Sequence, residues 1–256
     1  MTYNSPMLDN HTFVGQQRVI SYRTGGVSAP ENSLAGLKHA RNLGFQNIHF
    51  NVRLTADGIP VLASNEIICN NAAQESILSE VFFDQINSVD IGSDYGNEYI
   101  GETLPTLYQA LSACIEPEIR PIIELTPSAG QERSISEICL DIIKSVGTEK
   151  VLFPLIVSRN VLTLKTLMSI SPDTTRGLMW NDNLLDNDNV HDDLMCHCVL
   201  IPNQIVTSKL VKTLHLRQLS VISTNINDSI EAVTAIEHKV DAIMTSQIDA
   251  IGPYFY

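Results

Sequence analysis

The chain has 256 residues, 44% of them hydrophobic, and a formal net charge of −13. That length and apolar content suit a globular α/β protein and exclude a disordered one. The negative charge disfavours nucleic acid and anionic lipid as partners, so an anion site must supply its own positive charge.

No stretch approaches the ~18 consecutive apolar residues that span a bilayer, so no membrane association is expected. Residues 1–17 are polar and have no apolar core, so a secretory leader is not expected either. The five cysteines form no framework of paired spacings. Reduced thiols in a cytoplasm are the expectation. Cys196-His197-Cys198 has a metal-like look, but no second ligand pair follows it at zinc spacing.

Short β-type runs alternate with helical patterns along the chain. Residues 18–23 (RVISYR) read as a first strand. A helix is predicted over 33–43, with Leu34, Leu37, Ala40 and Leu43 on one face and Pro30-Glu31-Asn32 leading into it. Residues 47–53 alternate Ile48, Phe50 and Val52 against His49, Asn51 and Arg53, which is the period of a strand. Ala56-Asp57-Gly58 is a turn, after which 60–63 extends again. Helix follows over 106–114, strand over 120–125, and helix over 134–145. Strand over 151–157 and helix over 161–169 come next, then strand over 175–179. Residues 181–193 read as an acidic, Asn-rich loop. The chain closes with strand 199–201, helix 207–214, strand 220–224, helix 229–237 and strand 242–245.

Setting aside 60–63, eight strands mostly separated by helices, in a chain of this length, point to a (β/α)8 TIM barrel. The reading is one domain over 1–256, with an insertion over 65–105 between barrel strands two and three. A doubly wound open sheet is the alternative, but no glycine-rich dinucleotide turn supports it. In such barrels the working groups lie at the C-terminal ends of the strands. That singles out Tyr22, Arg23, His49, Asn51, Arg53, Ser64, Glu124, Thr126, Ser158, Trp180, Asn203, Asn225 and Ser246.

Several strings in these places are specific. Tyr22-Arg23 leads through Gly25-Gly26 to Ala29-Pro30-Glu31-Asn32-Ser33-Leu34. Strand two runs from His49-Phe50-Asn51 into Leu54-Thr55-Ala56-Asp57-Gly58-Ile59-Pro60-Val61. Leu104-Pro105-Thr106-Leu107 opens a helix, and Ile123-Glu124-Leu125-Thr126 ends strand three. In order and spacing this resembles the glycerophosphodiester phosphodiesterase family. The resemblance continues to Val240-Asp241-Ala242-Ile243-Met244-Thr245 and covers nearly the whole chain.

The resemblance implies hydrolysis of glycerophosphodiesters to glycerol 3-phosphate and an alcohol. It implies a divalent cation on three carboxylates, two proton-carrying histidines and a phosphate-binding arginine. Carried over by position, the catalytic histidines fall on Tyr22 and Ser64, and the arginine is kept as Arg23. Two of the carboxylates fall on His49 and Asn51, and the third is kept as Glu124. A family lysine falls on Thr126. Glu124 is thus the one retained metal ligand.

Those replacements carry chemical weight. Hard cations depend on anionic oxygen, so no cofactor is expected to bind tightly, and Mg²⁺ or Ca²⁺ enters by resemblance alone. Tyr22 is a poor base at neutral pH, and Ser64 cannot shuttle protons unaided. The expected ligand is a phosphorylated or anionic small molecule held by Arg23 with His49, Asn51 and Thr126. Simpler roles stand beside these. Arg23 could neutralise Glu124, His49 could be a hydrogen-bonded interior residue, and Asn51 and Ser64 could satisfy loop backbone. Three functions follow: a non-catalytic binder, an altered hydrolase using Tyr22, His49 and Glu124, or a barrel without a ligand.

Overall fold

The computed structural model describes residues 17–69, 75–116, 118–147, 154–180 and 190–255. Eight parallel strands close into a ring. In chain order they are β1 (Val19–Ser21), β2 (Asn47–Leu54), β6 (Arg120–Leu125), β7 (Leu155–Ser158), β8 (Arg176–Met179), β9 (Cys198–Pro202), β10 (Ser220–Ile226) and β11 (Ala242–Thr245). Each pairs with its neighbour in this order, β1 pairs with β11, and the β1–β2 pairing closes the barrel. A ninth strand, β3 (Pro60–Leu62), lies antiparallel against β2.

Helices α1 (Leu34–Asn42), α3 (Leu107–Cys114), α4 (Glu132–Val146), α5 (Val161–Ile170), α7 (Ser208–Leu216) and α8 (Ser229–Glu237) follow the strands. A helix start leaves backbone N–H groups without intrahelical partners, and side-chain oxygens take them here. Ser33 Oγ accepts from Gly36 N at 2.8 Å, and Thr106 and Gln109 form a reciprocal capping box. Asn160, Thr207 and Asp228 cap the later helices, each worth about 1 kcal/mol.

The period-two pattern of β2 decides what it buries. Ile48, Phe50 and Val52 face outward into the layer packed by the helices, with Leu37, Leu107, Leu111 and Ile135 in the same cluster. The inside of the barrel is a separate apolar layer of Ile20, Ile122, Leu155, Val157, Met179, Leu200, Ile222 and Met244, against which Tyr22 packs. That layer fills the barrel interior, and the polar groups of the mouth lie at the strands' C-terminal ends.

Between β3 and α3 the chain builds the hairpin β4 (Ile67–Cys69) with β5 (Glu75–Ile77), and the short helix α2 (Phe83–Ile86). Val61, Leu78, Ile86, Val89 and Leu104 give this segment its own small core.

Three sequence-based expectations need correction or delimiting. The first strand ends at Ser21 rather than Arg23. Arg23 and Thr24 have φ of 51° and 66°, in the left-handed region, because the chain must turn sharply over the mouth. Part of the expected acidic loop is one helical turn, α6 (Val190–Asp193), while residues 181–189 lie outside the described residues. Residues 151–153 of the expected fourth barrel strand also lie outside them, and β7 extends to Ser158.

Arg176 at the start of β8 is fully buried. Its guanidinium donates to the carbonyls of Ser171, Pro172, Thr174, Leu194 and Met195 at 2.9–3.4 Å. It laces the approach to β8 to the segment after α6. Among the described residues, no helix is long and apolar enough to cross a membrane.

Candidate functional site

The mouth is built on the register between β2 and β6. Asn51 lies directly opposite Glu124, and His49 two residues earlier opposite Ile122. Neighbouring parallel strands at matched register point their side chains to the same side, so all three polar groups face inward. Asn51 Nδ2 donates to Glu124 Oε2 at 2.7 Å, and His49 Nε2 meets the same oxygen at 3.1 Å. His49 and Asn51 are 0% and 4% exposed, and Glu124 is 4% exposed.

Both ends of these donors are fixed from behind. His49 Nδ1 accepts the Arg23 backbone N–H at 3.3 Å, which leaves the proton on Nε2 to be donated to Glu124. Asn32 Oδ1 accepts the Asn51 backbone N–H at 2.8 Å, and Asn32 Nδ2 donates to Asn51 Oδ1 at 3.4 Å. The Asn51 amide is therefore turned with its donor toward the carboxylate.

The loop after β1 seats the remaining groups. The Tyr22 ring stacks on His49 with centroids 5.0 Å apart, and the Arg23 guanidinium lies 4.8 Å over the Tyr22 ring. Arg23 Nη1 pairs with Glu31 Oε2 at 2.9 Å. Two glycines allow the close packing. A Cβ on Gly26, where φ is +61°, would stand 2.1 Å from the Ser246 carbonyl oxygen, and one on Gly36 would stand 2.4 Å from that of Pro30.

Arg159, just past β7, is the group the sequence reading missed. Its Nε approaches Glu124 Oε1 at 3.5 Å, and its Nη1 donates to the Trp180 carbonyl at 3.1 Å. Arg23 adds to the positive charge that favours the Glu124 carboxylate, but its hydrogen-bonded contact is elsewhere. The side-chain partner of Arg23 is Glu31, and Arg159 makes the guanidinium contact to Glu124. The signal was present, since Arg159 follows the strand end next to that of Glu124. However, Ser158 was the residue singled out there, and it donates to the Leu125 carbonyl at 2.7 Å. Glu31 and Asn32 lie in the run over residues 29–34, and no local pattern names their partners Arg23 and Asn51.

The other candidates spread around the rim. Arg53 Nε donates to the Ser64 carbonyl at 3.2 Å, and Thr126 N–H to the Val52 carbonyl at 3.0 Å. Asn51 satisfies a carboxylate rather than loop backbone. Asn203 accepts from Ser223 Oγ, away from the Glu124 hub, and Asn225 lies on the exposed side of β10. Arg23 Nε, Thr126 Oγ1 and Trp180 Nε1 are buried with no hydrogen-bond partner among the described residues.

The local field is asymmetric. Burial pushes the Glu124 carboxyl up. The hydrogen bond from His49 and the guanidiniums of Arg159 and Arg23 outweigh that and hold it below its ordinary value. Burial raises the Tyr22 phenol, although Arg23 opposes the shift, so the phenolate that could accept a proton is scarcer at neutral pH than in free tyrosine.

This donor set does not fit the divalent cation the fold family implies. One carboxylate remains. Its Oε2 already accepts two donors and its Oε1 faces a guanidinium. Both nitrogens of His49 are engaged. Hydrogen-bond donors stand where a hard cation needs anionic oxygen. Among the described residues, no group of three or more His, Cys, Asp or Glu side chains is arranged to hold a metal ion, Cys196 and Cys198 included.

The fold is a closed (β/α)8 barrel with its polar groups gathered at the C-terminal mouth. Residues 23–250 match the glycerophosphoryl diester phosphodiesterase family, and the chain belongs to that family. A glycerophosphodiester phosphodiesterase from Caldanaerobacter subterraneus subsp. tengcongensis is 27% identical over 168 residues, which is 66% of this chain and 68% of that one. Glycerophosphodiester phosphodiesterase 1 from Bos taurus is 31% identical over 98 residues, 38% of this chain and 30% of that one. Among solved structures, a phosphodiesterase from Oleispira antarctica in complex with the product sn-glycerol-3-phosphate superposes with a TM-score of 0.86. It is 23% identical and matches over 93% of this chain and 95% of that one.

Proposed function

We propose that this chain is a non-hydrolytic member of its family that binds a phosphorylated small molecule at the barrel mouth. The observation that carries the proposal is the state of Glu124. Its carboxylate is occupied by Asn51 and His49, so its neighbours complete a hydrogen-bond hub instead of a cation site. The positions of the two proton carriers hold Tyr22 and Ser64. Each positioned acid or base contributes about 10²–10⁴ in rate, and the loss of both with the cation leaves little of the family reaction. Arg23 keeps a planar, permanently charged fork suited to phosphate oxygens. The sn-glycerol-3-phosphate bound by the Oleispira antarctica neighbour supports a phosphorylated ligand class.

The test has two arms. Hydrolysis of glycerophosphodiesters is measured with Mg²⁺, Ca²⁺, Mn²⁺ or a chelator, beside a Glu124→Ala variant. No turnover above that variant is expected. Thermal melting with sn-glycerol 3-phosphate in chelator then reads binding, and a ligand at about 100 times Kd adds about 2.7 kcal/mol. Turnover that needs a metal and disappears in Glu124→Ala would refute the proposal and support an altered hydrolase.

A further inference from the structure

Three arginines stand at the mouth. Arg23 follows β1, Arg53 lies on β2 and Arg159 follows β7. In the ring order β1, β2, β6, β7, the first and last are three strand positions apart. They therefore approach the opening from well-separated directions. The Glu124 side chain is 6% exposed beneath them, whereas those of Arg23 and Arg159 are 28% and 53% exposed. The carboxylate is at the floor of the mouth and the guanidiniums are on its solvent side.

The Arg159–Glu124 contact is long, at 3.5 Å, and it is not the only support of Glu124. If Arg159 turned toward a ligand, the carboxylate would keep its donors from Asn51 at 2.7 Å and His49 at 3.1 Å. The buried carboxylate would keep both hydrogen bonds through the exchange and lose only its long guanidinium contact. Thr126 Oγ1, Trp180 Nε1 and Arg23 Nε are polar atoms at the ends of β6, β8 and β1 that have no hydrogen-bond partner among the described residues.

We propose that Arg159 takes over the electrostatic role of the missing cation, and that Arg159 and Arg23 together clamp a phosphate dianion without metal. This rests on reading the mouth as an anion site. The chemistry selects the charge type. Each fork presents several donors to phosphate oxygens, with Arg23 Nη1 already engaged by Glu31 and Arg159 Nη1 by the Trp180 carbonyl. Inorganic phosphate or a phosphomonoester offers at least three terminal oxygens to share between them, whereas a phosphodiester offers two and half the charge. The product-like monoester is thus preferred over the family's diester substrate.

Calorimetric titration of the full chain tests this, using inorganic phosphate, sn-glycerol 3-phosphate and a glycerophosphodiester, each in chelator and in Mg²⁺. The expected result is binding of the first two that is unchanged by chelator, with the diester weaker. Arg159→Gln should weaken monoester binding about tenfold or more, because it removes a charge-assisted contact. Arg159→Lys should recover part of the loss. Arg133→Gln, on the exposed face of α4, should change nothing, and melting curves verify that the variants are folded. Preference for sn-glycerol 3-phosphate over inorganic phosphate would show that the organic part is read as well. Binding that survives Arg159→Gln overturns this proposal alone, whereas binding that appears only with Mg²⁺ overturns it together with the reading of Glu124 as unable to hold a cation. No binding of any probe overturns both it and the reading of the mouth as an anion site.

Discussion

Replacing His49 with Glu and Asn51 with Asp restores carboxylates at the two positions where the family resemblance expects them. Both would then crowd Glu124, whose oxygen now lies 3.1 Å from His49 Nε2 and 2.7 Å from Asn51 Nδ2. Two like charges about 4 Å apart at an effective dielectric near 20 repel by about 4 kcal/mol. Three such groups cannot all ionise unaided, and Arg159 offsets at most one of them. The metal-free double variant should therefore melt well below the wild type. It should also gain what the wild type lacks, a set of anionic oxygens for a hard cation. At a cation concentration about 100 times Kd the gain is about 2.7 kcal/mol. For a chain of this size that is about 5–11 °C in Tm. Differential scanning calorimetry in chelator, Mg²⁺ and Ca²⁺ reads the effect directly. The wild type should be indifferent to the ion, and neither protein should hydrolyse diesters, because Tyr22 and Ser64 remain. A cation-dependent rise in the wild type would refute the claim that the present donor set excludes the ion. A double variant indifferent to every cation would show that His49 and Asn51 are not what removed the site.

Glu124→Gln probes acid stability. The Glu124 carboxyl is held below its ordinary value in the folded state. The stability it adds is therefore complete above the unfolded value and is lost as pH falls through the folded one. Below about pH 4.5 the wild type should lose stability more steeply than Glu124→Gln in denaturant titrations, and parallel curves would count against the depressed value. Gly26→Ala should destabilise by about 1–3 kcal/mol, since its Cβ would meet the Ser246 carbonyl at 2.1 Å at a left-handed φ; urea melts measure the loss. Arg176→Met should cost about 1–3 kcal/mol by removing the donor to five carbonyls, that of the buried Leu194 among them, against no change for an Arg133→Met control. A thiol reagent should find one fast cysteine, the exposed Cys69. Burial pushes Cys114 and Cys196 up to about 12 and raises Cys139 and Cys198 as well, so a second fast thiol would contradict that packing.

Much of the barrel was legible because its signals are local. The alternation of Ile48, Phe50 and Val52 with His49 and Asn51 states which side chains face the helices and which face the mouth. Ser33, Thr106 and Asp228 mark helix starts through bonds that reach only two or three residues along the chain. Strand ends were less legible, because the chain leaves β1 at Ser21 for reasons that lie in the close contact of Gly26 with Ser246, more than two hundred residues away.

The residue types in the mouth were also determined by the sequence alone. A histidine, an amide, a tyrosine and a serine stand where the family resemblance expects anionic oxygens and proton carriers. Which groups meet was decided only by tertiary structure. The assignment of Glu31 to Arg23 and the approach of Arg159 to Glu124 join residues on different strands or loops. Hydrogen-bond and ion-pair partners are chosen by distance and direction in space. A barrel closed by pairing between its first and second strands sets those distances through register and closure, neither of which is written in the local pattern.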